Sequence, residues 1–386
     1  MTGLQADPDP TRNVLLPHAT EADMPPGDTP ASAAQGGTEQ YVRPGRPPLL
    51  IAAVVVLYAC ATLQFVRFYT VSATFYLNLP AYLAGQERLP FQYRVLPALL
   101  TRALYATHLL QAAGMHQNGA FTTERAPLYL ISLVSLILAG IFTQVTYRAL
   151  SRSRRFNLLV YPVFLFTMIW TYSIHVEANF SYPYDFLSVA FFAAGLLCIV
   201  TRRFLPLLAV IALGTLNRET TLFLIGIYLL DAASTGLTGP RVSWKSRFSL
   251  QQVPWPRAVL LLAVWIAIRA ALAHHYAGND RTEDYVRLRE NVGRLTPRLW
   301  PALLNTCGYM LPVVLLLQMD LRPVRFRNYL CILPLWFAVM FYAGVIVETR
   351  IYGELCPYVA IALVLILENQ PGEDSRMSLD APGYST

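Results

Sequence analysis

LLIAAVVVLYACATLQFV (residues 49–66) runs for eighteen residues without a charge. A helix of that length rises about 27 Å, close to the roughly 30 Å hydrocarbon core of a bilayer. A helix that is apolar all round must be buried all round, in protein or in lipid. The segment therefore reads as a first spanning helix. Nine further apolar runs follow, at 126–149, 157–174, 186–200, 204–216, 220–233, 257–273, 300–318, 328–347 and 355–367. They predict an all-α fold: a polytopic transmembrane bundle of about ten spanning helices.

Composition supports this reading. The 386 residues are 55% hydrophobic and only 14% charged, with a mean hydropathy of +0.42. A soluble domain carries about a quarter charged residues. The net charge of +7 does not point to nucleic acid. Lys245 is the lone lysine, and the arginines cluster in short loops between apolar runs, as insertion topology demands. The five cysteines (Cys60, Cys198, Cys307, Cys331, Cys356) fall in or beside apolar runs with no CxxC or metal-like spacing. Residues 1–46 are rich in Pro, Gly, Ala, Thr and Asp and are expected to be a disordered cytoplasmic tail. They do not open with a basic region and an apolar core, so insertion is expected to be led by helix 49–66. The transmembrane domain is placed at 47–368, and 369–386 is expected to be a second disordered cytoplasmic tail.

The densest basic loop, SRSRR (151–155), sets the orientation. Counting outward, Arg202–Arg203, the loop 234–256 and LRPVRFR (321–327) fall on the same, cytoplasmic side. RPGRPP (43–48) puts the N-terminus there too. Residues 67–125 must then lie outside, although 70–84 and 93–113 are fairly apolar. In 93–113, Arg94, Thr101, Tyr105 and His108 form a polar stripe opposite Leu96, Leu99, Leu100, Ala103 and Leu110. Two interfacial helices in a first outer loop are the expectation, with a pair of short spanning helices as the alternative. A second outer loop covers 274–299.

Four charged clusters reach that same outer face: FQYR (91–94), HVEANFSYPYD (175–185), NRET (217–220) and ETRIYGE (348–354). Ionisable groups at a membrane boundary are costly and usually have partners or roles. Each cluster also has a structural reading. Asp185 suits a helix start, where a carboxylate caps free amides. Arg350 and Glu354 are four apart and would pair on one α-helical face. Arg94 would snorkel. Asn217 would end one helix and Thr220 start the next. Taken together, arginines fork onto phosphate oxygens, which makes Arg94, Arg218 and Arg350 candidate phosphate ligands. Asp185, Glu177 and His175 could supply a general base or hold a divalent cation, with no spacing specific for metal. Tyr93, Glu219, Glu348 and Glu354 complete the supporting set. No Walker loop, dinucleotide fingerprint, nucleophile elbow or HExxH occurs.

The arrangement resembles the GT-C superfamily of integral membrane glycosyltransferases. PFQYRVLP (90–97), RETTLFLIG (218–226) and RIYGELCPYVAIAL (350–363) are similar to short family stretches, and the architecture would cover 49–368. The resemblance implies sugar transfer from a polyprenyl-phosphate donor to an acceptor on the non-cytoplasmic face of a bacterial inner membrane. Its partners would be that lipid-linked sugar and membrane lipid. The family usually carries an Asp or Asp-Glu pair early in the first outer loop; here 70–89 contains no Asp, and Glu87 is its only acid. Glu87, or Asp185 with Glu177, would then have to be the base. The alternatives are a transporter or lipid flippase, or a non-catalytic assembly protein docking through 274–299.

Overall fold

A computed structural model describes residues 48–72, 74–107, 126–151, 153–174, 180–235, 245–294 and 304–369. The described residues are helical nearly throughout. In order come α1 (Pro48–Ser72), β1 (Thr74–Phe75), α2 (Leu79–Ala84), α3 (Val95–Ala106), α4 (Ala126–Leu150), α5 (Val160–Ser173), β2 (Phe180–Ser181) and α6 (Asp185–Val200). Then follow α7 (Phe204–Asn217), α8 (Leu222–Ala233), α9 (Trp255–His275), α10 (Leu288–Arg294), α11 (Met310–Leu316), α12 (Val324–Asn328), α13 (Leu333–Ala343) and α14 (Cys356–Asn369). A helix lies within each of the ten apolar runs. Five segments are long and apolar enough to cross a membrane: Pro48–Thr70, Ala126–Leu150, Trp255–His275, Val324–Ala343 and Thr349–Asn369. The last two join helical turns to α13 and α14.

Burial is arranged as a membrane protein requires. The central helix α14 packs against α4, α5, α6 and α11 and is almost wholly enclosed. At the periphery, α1 exposes Leu49 (80%), Val55 (60%) and Leu57 (65%), and α9 exposes Val259 and Ile266. Water would penalise such continuous apolar faces, whereas lipid does not. Small residues and hydroxyls knit the helices where they cross. A Cβ on Gly140 of α4 would overlap the Tyr161 ring of α5. The Thr62 hydroxyl donates to the Tyr58 carbonyl (2.7 Å), so the Tyr161 hydroxyl must donate to Thr62 Oγ1 (2.5 Å). Small residues allow close approach of this kind between apolar helices.

The first outer loop differs from its expected form. The stretch 70–84 holds only the end of α1, the short β1 and the six-residue α2. Asn78 caps α2 by accepting from the Ala81 amide (3.1 Å), and Gly85 at φ 83° ends it. β1 pairs in parallel with β2, Thr74 opposite Phe180, so this loop is tied to the segment entering α6. The helix in 93–113 exists as α3, but its polar side faces protein. Arg94 and Thr101 are buried, while Leu99 and Leu100 are exposed. Only the first part of the stripe turns inward: Tyr105 remains exposed, and the Thr101 hydroxyl is buried without a hydrogen-bond partner among the described residues. His108 and Leu110 lie outside the described residues, as do both tails.

Replacing Gly140 with Leu is expected to lower stability in detergent by about 1–3 kcal/mol through overpacking. Gly278→Ala, with open space around it, should leave the thermal midpoint unchanged. Equal midpoints for both variants would remove the proposed close contact between α4 and α5.

Candidate functional site

Seven helix termini meet at one end of the bundle, and each brings a polar group. They are the C-terminal ends of α1, α7, α9 and α13, and the N-terminal ends of α3, α6 and α8. The turn Thr349–Leu355, entering α14, completes the site. Asp185 stands at the centre and is fully buried (0% exposed). It does not cap α6: no side-chain cap bond is made at that helix start. Its Oδ2 instead accepts from the Tyr69 hydroxyl (2.6 Å) and lies 3.7 Å from Arg350 Nη1. Its Oδ1 lies 3.8 Å from Arg218 Nη1. Arg218 (4% exposed) and Arg350 (7%) are therefore held on either side of one carboxylate.

The other acids take definite places. Glu354 lies 3.7 Å from Arg218 and accepts from the Thr220 hydroxyl (2.5 Å). It does not pair with Arg350, because residues 349–355 wind as a 3₁₀ helix. At three residues per turn, positions four apart no longer stack. Arg350 pairs with Glu348 instead and lies over the Tyr182 ring, 4.0 Å from its centroid. Arg94 binds Glu219 (2.8 Å) and lies over Tyr184 (4.2 Å), so it is anchored rather than snorkelling. Asn217 ends α7 as expected and donates to the Tyr184 carbonyl (3.1 Å). Thr220 starts no cap; its hydroxyl serves Glu354.

These groups front a cavity of about 940 Å³. Arg94, Arg218, Arg269, Arg350, Glu219 and Glu348 line its polar end, with Tyr93 beside them. Leu222, Phe223, Leu262, Trp265, Leu335 and Val339 line the rest, from α8, α9 and α13. Leu222, Leu262, Leu335 and Val339 are also exposed at the bundle surface, so the cavity is continuous with that apolar face. Asp185 and Glu354 are not among the lining residues; they sit behind the arginines. Nε and Nη1 of Arg218 are buried without a hydrogen-bond partner among the described residues, as is Nη1 of Arg269. Arg218 Nη1 lies toward Asp185 and Glu354 at ion-pair distance, so this guanidinium has hydrogen-bonding capacity left over beside the cavity it lines.

The second outer loop closes over the first. Asn279 donates to the carbonyls of Gly85 (3.0 Å) and Glu87 (2.8 Å), and the Leu89 amide to the Asp280 carbonyl (2.7 Å). Glu283 accepts from the Tyr76 hydroxyl (2.8 Å) and pairs with Arg287 (2.8 Å) and Arg88 (3.5 Å). Burial raises the Glu283 carboxyl, but those hydrogen bonds and charges outweigh it and hold it below the usual carboxylate range. Asn291 fastens α10 to the Phe341 and Gly344 carbonyls, 2.7 Å each. Asp284, Glu283 and Arg287 reach the cavity from this loop.

The structure thus brings together Asp185, Arg94, Arg218, Arg350, Glu219, Glu348, Glu354 and Tyr93. Glu87 is buried apart from the cavity lining, with Oε2 accepting from the Asn78 amide (3.0 Å) and Oε1 near Arg88 (3.5 Å). His175 and Glu177 lie outside the described residues. No group of three or more His, Cys, Asp or Glu among the described residues could hold a metal ion, and Asp185 is already engaged by two arginines and a tyrosine. Sequence reasoning reads Arg269 as a candidate buried charge but leaves it out of the site, where its guanidinium lies over Tyr93 (4.8 Å). It missed the two tyrosines under Arg94 and Arg350, and Asp284. A lone charge late in the apolar run 257–273 was the signal for Arg269; the tyrosines left none beyond their nearness to Asp185. No protein-family model matches the chain, and no curated protein or solved structure matches it either.

Asp185→Asn is expected to cost on the order of 3–5 kcal/mol, because it leaves Arg218 and Arg350 buried beside each other without their shared counter-charge. A detergent unfolding midpoint within error of the parent protein would show that Asp185 does not hold the site together. A second expectation concerns pH. Since the folded Glu283 carboxyl is depressed, its stabilisation is complete above the unfolded value of about 4.3 and is lost as pH falls through the folded one. Hydrogen-exchange protection of 276–294 should therefore drop below about pH 4, and Glu283→Gln should be unprotected at neutral pH as well.

Proposed function

We propose that this chain is an integral membrane glycosyltransferase of the GT-C kind. It would move a sugar from a polyprenyl-phosphate donor to an acceptor on the non-cytoplasmic face of a bacterial inner membrane. The accompanying topology is about ten spans with the N-terminus cytoplasmic. One observation carries the reading: arginines at the polar end of a cavity whose wall on α8, α9 and α13 is apolar, with charged residues of the loop after α9 entering from one side. A ligand that fits both parts is anionic at one end and hydrocarbon at the other. The resemblance of 90–97, 218–226 and 350–363 to GT-C stretches supports the same assignment.

In this reading the donor phosphate is met by the Arg218 guanidinium, with Arg94, Arg269 and Arg350 around it. Its prenyl chain runs between α8, α9 and α13. As the glycosidic C–O bond breaks, negative charge grows on the leaving phosphate, and fixed guanidinium groups stabilise that charge without reorganising. Asp185 and Glu354 hold the arginines in place from behind. The acceptor hydroxyl loses its proton to a carboxylate on the cavity side. Glu348 and Glu219 are there, but each is held in an ion pair with an arginine. Asp284 also lines the cavity and forms no ion pair among the described residues. No step is routed through a metal.

The test is turnover of a polyprenyl-phosphate sugar by purified, reconstituted protein. Arg218→Gln is expected to reduce kcat by about 10²–10³-fold, and Asp284→Asn to reduce it by about 10²-fold with little change in KM. Glu87→Gln should retain activity. Undiminished turnover in Arg218→Gln would remove the phosphate assignment. Absence of turnover together with transbilayer movement of the lipid would replace transfer by flipping.

A further inference from the structure

A second cavity, of about 520 Å³, lies at the other end of the bundle. The helix α6 joins the two sites: it runs 16 residues from Asp185 to Val200, which sets its ends roughly 22 Å apart. Four arginines line the second cavity, Arg202, Arg203, Arg257 and Arg325, with one acid, Asp231. That acid is committed. Its Oδ2 pairs with Arg325 (2.8 Å) and its Oδ1 accepts from the Tyr329 hydroxyl (2.7 Å). Arg202, Arg203 and Arg257 form no ion pair with any acid among the described residues. Three positive charges therefore share one concavity without an ion-pair partner among the described residues.

The surface favours a ligand here. Arg202 sits at φ 57°, in the left-handed region where Gly or Asn costs least. The Arg257 guanidinium rests 5.4 Å from the Phe204 ring centroid, which orients it. Beside the cavity, Leu205 (75% exposed), Leu250 and Trp255 project outward. Exposed leucines with an exposed Trp at a helix end place this rim at the level of lipid headgroups. Basic pockets between membrane helices at that depth receive phosphate headgroups.

We infer that this second cavity binds the phosphate of an anionic membrane phospholipid, with the acyl chains leaving past Leu205 and Trp255. The site is separate from the donor cavity, and the inference rests on residence in a membrane rather than on glycosyl transfer.

The test uses the full-length protein in detergent and native mass spectrometry. It compares phosphatidylglycerol with phosphatidylcholine, and inorganic phosphate serves as competitor. Phosphatidylglycerol should bind at least about 10-fold more tightly than phosphatidylcholine. The triple variant R202Q/R203Q/R257Q should lose on the order of 100-fold in that affinity while unfolding at the parent temperature. Should the triple variant fail to fold, the exposed Arg202→Gln alone should lose roughly 5-fold, with Arg202→Lys restoring most of it. Undiminished phosphatidylglycerol binding in a folded variant would overturn the site. Displacement of the lipid by millimolar inorganic phosphate would overturn its lipid source and leave a free-phosphate site.

Discussion

One carboxylate holds the functional end of this bundle together. Asp185 lies between Arg218 and Arg350, 3.8 and 3.7 Å away, and takes a hydrogen bond from Tyr69. Through those contacts α1, α6, the α7–α8 turn and the turn before α14 share a single counter-charge. Burying two arginines in a membrane protein is prohibitive unless their charge is met. The requirement fixes where four separate chain segments must end relative to one another. Glu354, Glu219 and Glu348 extend the same logic outward. The result is a charge layer with its acids partly behind and its guanidinium groups toward the cavity.

That layering explains how a site can be both rigid and receptive. Acids behind the arginines preorganise them, yet Arg218 keeps hydrogen-bonding capacity unused while its side chain lines the cavity. The tyrosines at 182 and 184 press on Arg350 and Arg94 and limit their rotamers. The wall of α8, α9 and α13 is ordinary lipid-facing helix surface, so the apolar half of the cavity needs no special construction. An amphipathic ligand is then matched by two environments the fold already has to provide. The clasp between the loops after α1 and α9, built on Glu283 and Asn279, covers this end of the bundle.

Polarity also decides details that spacing alone misplaces. The stripe on α3 reads as a water-facing surface, since amphipathic helices of globular proteins turn polar residues outward. Here the surroundings of the bundle are apolar, and Arg94 and Thr101 turn inward while Leu99 and Leu100 face out. The expected pair of Arg350 with Glu354 fails for a different reason. Periodicity arguments assume 3.6 residues per turn, and that turn has three. Both errors come from assigning a local geometry before the surrounding solvent and the helix type are known.

The sequence by itself determined the solvent of this protein. Uncharged runs of bilayer length, with charges confined to their ends, satisfy backbone polarity only as helices in lipid. That pattern is local and survives without knowledge of contacts. Convergence of Arg94, Asp185, Arg218 and Arg350 on one end was legible too, because helix parity and basic loops order the ends without any packing detail. Only the tertiary structure decided which acid meets which arginine, that Asp185 lies behind the arginines instead of in the cavity, and that Arg269 and Asp284 belong beside it. Those outcomes depend on helix rotation and on distances of a few ångströms between residues far apart in the chain, and side-chain spacing along the sequence carries no information about either.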